Sequence, residues 1–348
     1  MTITSKAKAG FPSRLDDLYW RGSRLIEESV ENGVTSMRAH VEVDTIVGFS
    51  CLDVALDLKA RYKDVCDVQI AGAFNCLLLL FSLSAKSVVF AQEALFEKPS
   101  DIEPGENYTI LCQAMRREGV SVLGSAPYVE PTFHQAKKNI QLIFQAIMGS
   151  QEVFPRHIDF HLDYNLDPTV EPLIYEVIEQ ARTYYSRYNL DCASEYGKDI
   201  SEAGGAQPDL NTTPRLYCDN KKSTGPSITI GHATRLQLLL PSEWHKLRAA
   251  IGDLPITIVG LPQSDMYIQG RDHQSNLLGP PRSTLRVPFI EEAYGIKVAM
   301  AVNNVDNAFT PQGTLDPLSS LVTFGVAIFQ AATPKEIRSL IVGLLLGT

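Results

Sequence analysis

Cysteine is scarce and unpatterned in this chain of 348 residues: six are present, at positions 51, 66, 76, 112, 192 and 218, with no Cys-x-x-Cys pair. A disulfide scaffold and a thiolate zinc module are thereby excluded, and a reducing, cytoplasmic setting is expected. Basic charge is short as well. With 31 Lys and Arg against 40 Asp and Glu, the net charge of −9 argues against nucleic acid or an anionic membrane as partner. Long apolar runs are missing, since the longest, Cys76 to Leu83, is less than half a membrane span. The opening stretch MTITSKAKAGFPSR carries no apolar segment behind its basic residues, so no secretory signal is expected. No Gly-x-Gly-x-x-Gly follows a strand-like segment, which leaves a dinucleotide fold without its phosphate loop. What is present is a composition of 45% apolar and 20% charged residues, sufficient to bury a core in one large domain or two modest ones.

One pattern recurs along the chain. A short β-rich run ending in polar residues is followed by an amphipathic helical segment. Strands are predicted at Val34–Val43, Asp67–Gly72, Val120–Tyr128, His157–Tyr164, Ser227–Thr234, Pro255–Gln263 and Ile296–Asn304. Helices are predicted at Leu15–Glu31, Leu52–Tyr62, Gln135–Ile147, Glu171–Arg187, Ser242–Ile251 and Leu315–Gln330, the first with Ser13 as its N-cap. Largely apolar strands alternating with helices indicate a parallel sheet covered on both faces, and seven such units favour a (β/α) barrel over an open sheet. Barrels of this type close with eight strands, so seven leave two edges unpaired. Three segments break the rhythm. Residues 1–14 are a polar tail, Tyr188–Pro226 is a long polar loop suited to a lid or to disorder, and Gly72–Val88 is an apolar insert directly after a strand. The apolar tail Leu340–Leu346 is predicted to be a final helix.

Strand C-termini build the active site of such a barrel. Here they carry His40 and Glu42, Tyr128 and Glu130, His161, Asp163 and Tyr164, His232, Thr234 and Arg235, Gln263 and Asp265, and Asn303, Asn304 and Asp306. Polar groups at six of seven strand ends are hard to attribute to core packing.

The blocks MRAHVEV (37–43), DVQIA (67–71), LGSAPYVEP (123–131), DFHLDYNLDP (159–168), IGHATRL (230–236), GLPQSDMYIQGR (260–271) and AVNNVDNAFTPQGTLDPL (301–318) resemble the cytosine-deaminase-like branch of the amidohydrolase superfamily. Their order and spacing match that family from its second strand to its eighth, over most of residues 15–330. The resemblance implies a TIM-type barrel whose first strand and small β-sandwich have no counterpart in this sequence. Joining Asp67–Ala71 to Val89–Phe96 is similar to the family's third strand and its substrate-binding Gln, which puts Gln92 in that role; without the join, Asn75 is the nearest candidate. Residues 72–88 then read as seventeen extra residues within a strand, a length that suits a retained intron.

The family's chemistry needs a divalent metal held by a His-x-His pair on the first strand, a His on the fifth and an Asp on the eighth, with a Glu to move protons. By resemblance His161 takes the fifth-strand ligand position and His232 that of the assisting sixth-strand His. No His-x-His occurs among the seven histidines, Tyr164 stands where the Glu belongs, and Asn303 where the Asp belongs. His40 and Glu42 could form a replacement ligand pair, but they fall on the second strand, which has no metal duty in the family.

Three functions follow. The first is a repurposed, metal-independent enzyme without cofactor: a cyclase, pericyclase or isomerase of secondary metabolism, acting on a small, largely apolar metabolite. Tyr164, His232 and His161 would be its catalytic groups, with Gln92, Tyr128, Asp163, Gln263, Arg271, Asn303 and Asn304 binding substrate. The second is a metal-dependent hydrolase or deaminase of a cyclic C–N bond, using one zinc or iron and a first strand that this sequence lacks. The third is a non-catalytic ligand-binding descendant. A small molecule is the expected partner in each, with homo-oligomerisation left open.

Overall fold

A computed structural model describes residues 9–69, 87–149, 157–187, 227–269, 284–303, 305, 310, 313–331 and 333–338. The insert positions 72–86, the whole polar loop at 188–226, Arg271, Asn304 and the apolar tail at 340–346 lie outside them.

Eight strand segments follow one another: β1 (Ser36–Arg38), β2 (Asp67–Gln69), β3 (Ser87–Ala91), β4 (Val120–Ser125), β5 (His157–Leu162), β6 (Ile228–His232), β7 (Ile256–Gly260) and β8 (Val298–Met300). β3 to β8 form one six-stranded sheet in chain order, and β1 pairs with β2 in a second. Every ladder is parallel. Helices connect the strands: α1 (Leu15–Glu31), α2 (Ser50–Tyr62), α3 (Glu106–Met115), α4 (Phe133–Met148), α5 (174–187), α6 (Pro241–Ile251), α7 (Pro262–Ile268) and α8 (Val287–Tyr294). This is the strand–helix winding of a (β/α) barrel. Its core is built from fully buried side chains of both layers, among them Phe90, Leu123, Ile140, Ile143, Phe144, Ile158 and Phe160. Among the described residues no helix is long and apolar enough to cross a membrane.

Local chemistry explains most element ends. Asp16 and Asp17 occupy the first turn of α1, where the helix dipole favours negative charge. Ser13 is not its N-cap: that residue lies in a short 3-10 turn and its hydroxyl donates to the Gly10 carbonyl at 3.0 Å. Thr132 caps α4 by accepting from the Gln135 N–H at 3.2 Å, a contact worth about 1 kcal/mol. The helix expected at Leu315–Gln330 breaks into Pro317–Ser320 and a π-helical stretch, Leu321–Ile328.

The expected first strand, Val34–Val43, is regular only over Ser36–Arg38. Further along, the Phe90 N–H donates to Val41 and the Val43 N–H donates to Phe90, giving a parallel bridge between Glu42 and Phe90. Asp44 then turns the chain, its carboxylate accepting from the Ile46 and Val47 N–H groups at 2.7 Å each. The bridge couples the two sheets. It also has a register: Ser36 faces Asp67, an offset of 31, and Glu42 faces Phe90, an offset of 48. The difference, 17, equals the length of residues 72–88. β2 and β3 are thus in step as two parts of one strand from which seventeen residues are left out of the count, and the eight segments occupy seven strand positions. Among the described residues no ladder joins β8 to β1.

A chain lacking residues 72–88 is expected to fold with β2 and β3 continuous and to melt no lower than the full chain. Circular dichroism melting of the two proteins checks this; a deletion variant without a cooperative transition would contradict the shared register.

Candidate active site

Alternation along β5 puts Asp159 and His161 on one face of the strand, with Ile158, Phe160 and Leu162 on the other. The first pair meets groups arriving from β1 and the residues after it. The Arg38 guanidinium donates to Asp159 Oδ2 at 3.3 Å and to the Thr229 hydroxyl at 2.7 Å, and His40 Nε2 lies 3.1 Å from the same carboxylate oxygen. Burial alone would push the Asp159 carboxyl up, but His40 and Arg38 outweigh it and hold the group below its ordinary value. His161 is the converse. Burial, with the His40 and His232 rings as neighbours, holds its imidazole well below its ordinary pKa and hence neutral. Its ring rests against the β6 backbone at Gly231, where a Cβ would come within 2.7 Å of Cδ2. Only glycine leaves space for the ring there.

β6 ends in His232 and Ala233, both in the left-handed region at φ 67° and 50°. Non-glycine residues adopt this conformation at a cost, and here it turns the His232 ring into the mouth of the barrel. His232 Nδ1 lies 3.0 Å from Asp265 Oδ1, while Asp265 Oδ2 accepts from the Thr284 hydroxyl at 2.8 Å and the Leu261 N–H at 3.3 Å. Both partners are buried. Burial lowers the His232 pKa to about 3 and raises that of Asp265 to about 8, so charge on either is disfavoured.

Rings gather over this pair. Tyr164 packs on His232 at a centroid distance of 4.0 Å, His161 meets His232 at 5.0 Å, and Tyr128 meets Tyr164 at 5.5 Å. Gln92 donates from Nε2 to the Tyr128 hydroxyl at 3.1 Å. Burial raises the Tyr164 pKa, which keeps it a phenol. Its hydroxyl is buried, with the Gln269 side chain beside it but no well-formed hydrogen bond to a described residue.

The structure therefore brings Tyr164, His232, His161, Tyr128 and Gln92 together. Others expected with them are employed elsewhere. Asp163 caps α5: its two oxygens accept from the Leu173 N–H at 2.7 Å and the Ile174 N–H at 3.2 Å. Burial raises it to about 7 against those bonds. The Gln263 amide donates to the Thr314 carbonyl and the Ser320 hydroxyl, and the Asn303 amide to the Ser264 hydroxyl. Arg38 and Asp159 were not among the expected site residues. The alternation that pairs Asp159 with His161 was the signal for one of them.

A metal held as in the resembling family does not fit these residues. His161 is the one matching ligand, Tyr164 has a phenol where a carboxylate is required, and the Asn303 amide is bound to Ser264. A different set does lie close: one ligand atom each of His40, Asp159 and His161 fall within 4.8 Å of one another.

The chain matches no protein-family model and no curated protein. Among solved structures it is similar to 5-methylcytosine deaminase from Klebsiella pneumoniae, liganded with 5-fluorocytosine. The TM-score is 0.66 and the identity 19%, over 97% of this chain and 67% of that one. The same enzyme liganded with phosphonocytosine gives a TM-score of 0.64 at 19% identity, over 94% and 65% of the two chains. N-isopropylammelide isopropylaminohydrolase from Burkholderia multivorans ATCC 17616 gives 0.54 at 17% identity, over 91% and 59%. The chain spans about two thirds of the length of these structures. It shares the (β/α) barrel fold of these structures. The particular relatives define that fold and leave the reaction to be argued from the side chains.

The buried pair makes stability pH-dependent in a readable way. Asp265, raised from 3.8 to about 8, contributes stability that is lost as pH rises towards 8; His232, lowered from 6.5 to about 3, contributes stability that is lost as pH falls below 6.5. Below 6.5 the two effects oppose each other, and above it only that of Asp265 remains. Urea unfolding across pH 6.5 to 8 is therefore expected to show a decline in stability that is shallower in Asp265→Asn. Parallel profiles would contradict the assignment.

Proposed function

We infer that this chain is a small-molecule enzyme that works by proton transfer at the barrel mouth, an isomerase or cyclase in class, with no part played by the family's metal set. The observation that carries this reading is the His232–Asp265 pair, buried beneath Tyr164 and beside His161. Paired groups with one removable proton near neutral pH suit acid–base catalysis, because the proton is neither held too tightly nor lost too early. At pH 7 the neutral Asp265 carboxyl donates to His232 Nδ1, which leaves the proton on Nε2, the nitrogen not engaged by Asp265. That nitrogen protonates the substrate as the Asp265 proton passes to Nδ1; the bare Nε2 then accepts the proton that the substrate loses, and Nδ1 returns its proton to Asp265. Tyr164 remains a phenol and donates a hydrogen bond to developing negative charge. The Gln92–Tyr128 contact supplies an amide and a hydroxyl for the polar edge of a ring-shaped substrate. The rings of His161, Tyr164 and Tyr128 match its flat faces.

A second reading is hydrolysis of a C–N bond on a nitrogen heterocycle. Two observations favour it: the likeness to deaminase structures, and the His40, Asp159 and His161 cluster, a donor set of a kind found in metal hydrolases.

Incubating a panel of small cyclic ketones, lactams and heterocycles with the protein in deuterium oxide tests the two readings together. Wash-in of deuterium at carbon, slowed about 100-fold or more in Tyr164→Phe and His232→Gln and declining as pH rises through about 8, is the expected result. Ammonia or amine release without exchange would replace proton transfer by hydrolysis. Neither activity on any compound would leave the cluster without a catalytic role.

A further inference from the structure

We propose that His40, Asp159 and His161 bind a divalent transition-metal cation, in a ligand set that shares only His161 with the metal site of the resembling family. The proposal goes beyond the proton-transfer reading, which uses neither His40 nor Asp159. Two imidazoles and one carboxylate are the donor set that zinc and ferrous iron accept with open positions for water or substrate. The three residues offer ligand atoms within 4.8 Å of one another, close enough for a single ion to reach all three with small side-chain adjustments.

A second observation, independent of this spacing, points to a ligand. The other carboxylate oxygen of Asp159, Oδ1, is buried and has no hydrogen-bond partner, in a residue only 1% exposed. An ionised oxygen buried without a partner carries a desolvation cost of several kcal/mol in general, which a bound cation relieves. The surroundings fit this role. Arg38 approaches only Oδ2 and is fixed in turn by the Thr229 hydroxyl, so it orients the carboxylate from behind with Oδ1 left over, while His40, also beside Oδ2, turns to the ion. His161 makes ring contacts but no hydrogen bond among the described residues, and Gly231 sets its plane. His40 stands at the rim with its side chain 32% exposed, which gives an ion a way in. Arg38 also sets a limit. A second positive charge beside the carboxylate weakens cation binding, so micromolar rather than nanomolar affinity is expected. A cation here lies against His161, next to the ring cluster, where it can polarise a substrate oxygen or nitrogen as a Lewis acid.

The test uses the full chain, stripped with chelator and titrated with cobalt(II) in the absence of substrate. Expected are one cobalt per chain by equilibrium dialysis and visible d–d absorption of the intensity given by four- or five-coordinate sites. Affinity should fall at least tenfold in His40→Ala and in Asp159→Asn, and stay unchanged in the Glu42→Gln, Glu93→Gln double variant, which removes the neighbouring acidic group. His40→Ala is the safer variant, since a rim residue can be lost with the apo melting temperature preserved. No cobalt bound at millimolar concentration would overturn the proposal, as would binding that survives His40→Ala but is lost with Glu42 and Glu93. Because the readout needs no turnover, a failed proton-transfer assay and a failed metal site remain separate results.

Discussion

The carboxylate of Asp159 is the constraint around which this barrel is arranged. It is a charge in the middle of a strand whose other face, Ile158, Phe160 and Leu162, is apolar, and the groups that replace water around its Oδ2 come from other strands. Arg38 and His40 come from the first strand region and Thr229 from the sixth strand, so one buried ion network ties three strand positions across the barrel interior. Such a network adds little net stability over an apolar core, yet losing its buried partner Arg38 costs about 3–5 kcal/mol because the Asp159 charge is stranded, a cost that does not extend to His40 at the rim. Its geometry is therefore specified rather than merely tolerated. The close approach of neighbouring strands serves the same end. A Cβ on Gly124 would lie 2.5 Å from the Asp159 carbonyl oxygen, and one on Gly231 would strike the His161 ring.

Above this layer the chemistry changes from ionised to neutral. His161, His232 and Asp265 are buried and Tyr164 is half-buried with its hydroxyl enclosed, and burial shifts each towards its uncharged form. The mouth thus offers hydrogen-bonding groups that hold or release protons but carry little charge, set directly over a fixed charge pair. That division distinguishes this site from one organised around the metal ligands of the resembling family, for which Tyr164 and Asn303 are the wrong donors. A likeness of fold at 19% identity is compatible with such a change, because the barrel presents strand ends whatever residues stand on them.

Much of this was legible in the amino-acid order. The first helix, Leu15–Glu31, is predicted to the residue, since its apolar stripe is strong and begins beside two aspartates. The strand ends are legible too, because short apolar runs stop abruptly at polar groups, and that suffices to collect His161, His232 and Tyr164. Three things were not. Arg38 and Asp159 are 121 residues apart, and an isolated aspartate in an apolar strand gives no local sign of its partner. Asp163 reads as a site residue because it follows a strand, yet its ligands are N–H groups ten and eleven residues later, at the start of a helix. The register that β2 and β3 share is a property of pairing that composition does not give, although the resemblance marks residues 72–88 as seventeen extra residues within one strand.

The central claim is that burial and pairing, not ordinary solution chemistry, set the protonation of the two mouth histidines. Side-chain nitrogen NMR of the uniformly labelled chain, followed from pH 8 down to pH 4, tests it most directly. His161 and His232 are predicted to remain neutral as pH falls through 6.5, with His232 Nδ1 in a hydrogen bond to Asp265. Protonation of His161 or His232 near pH 6.5 would contradict the account.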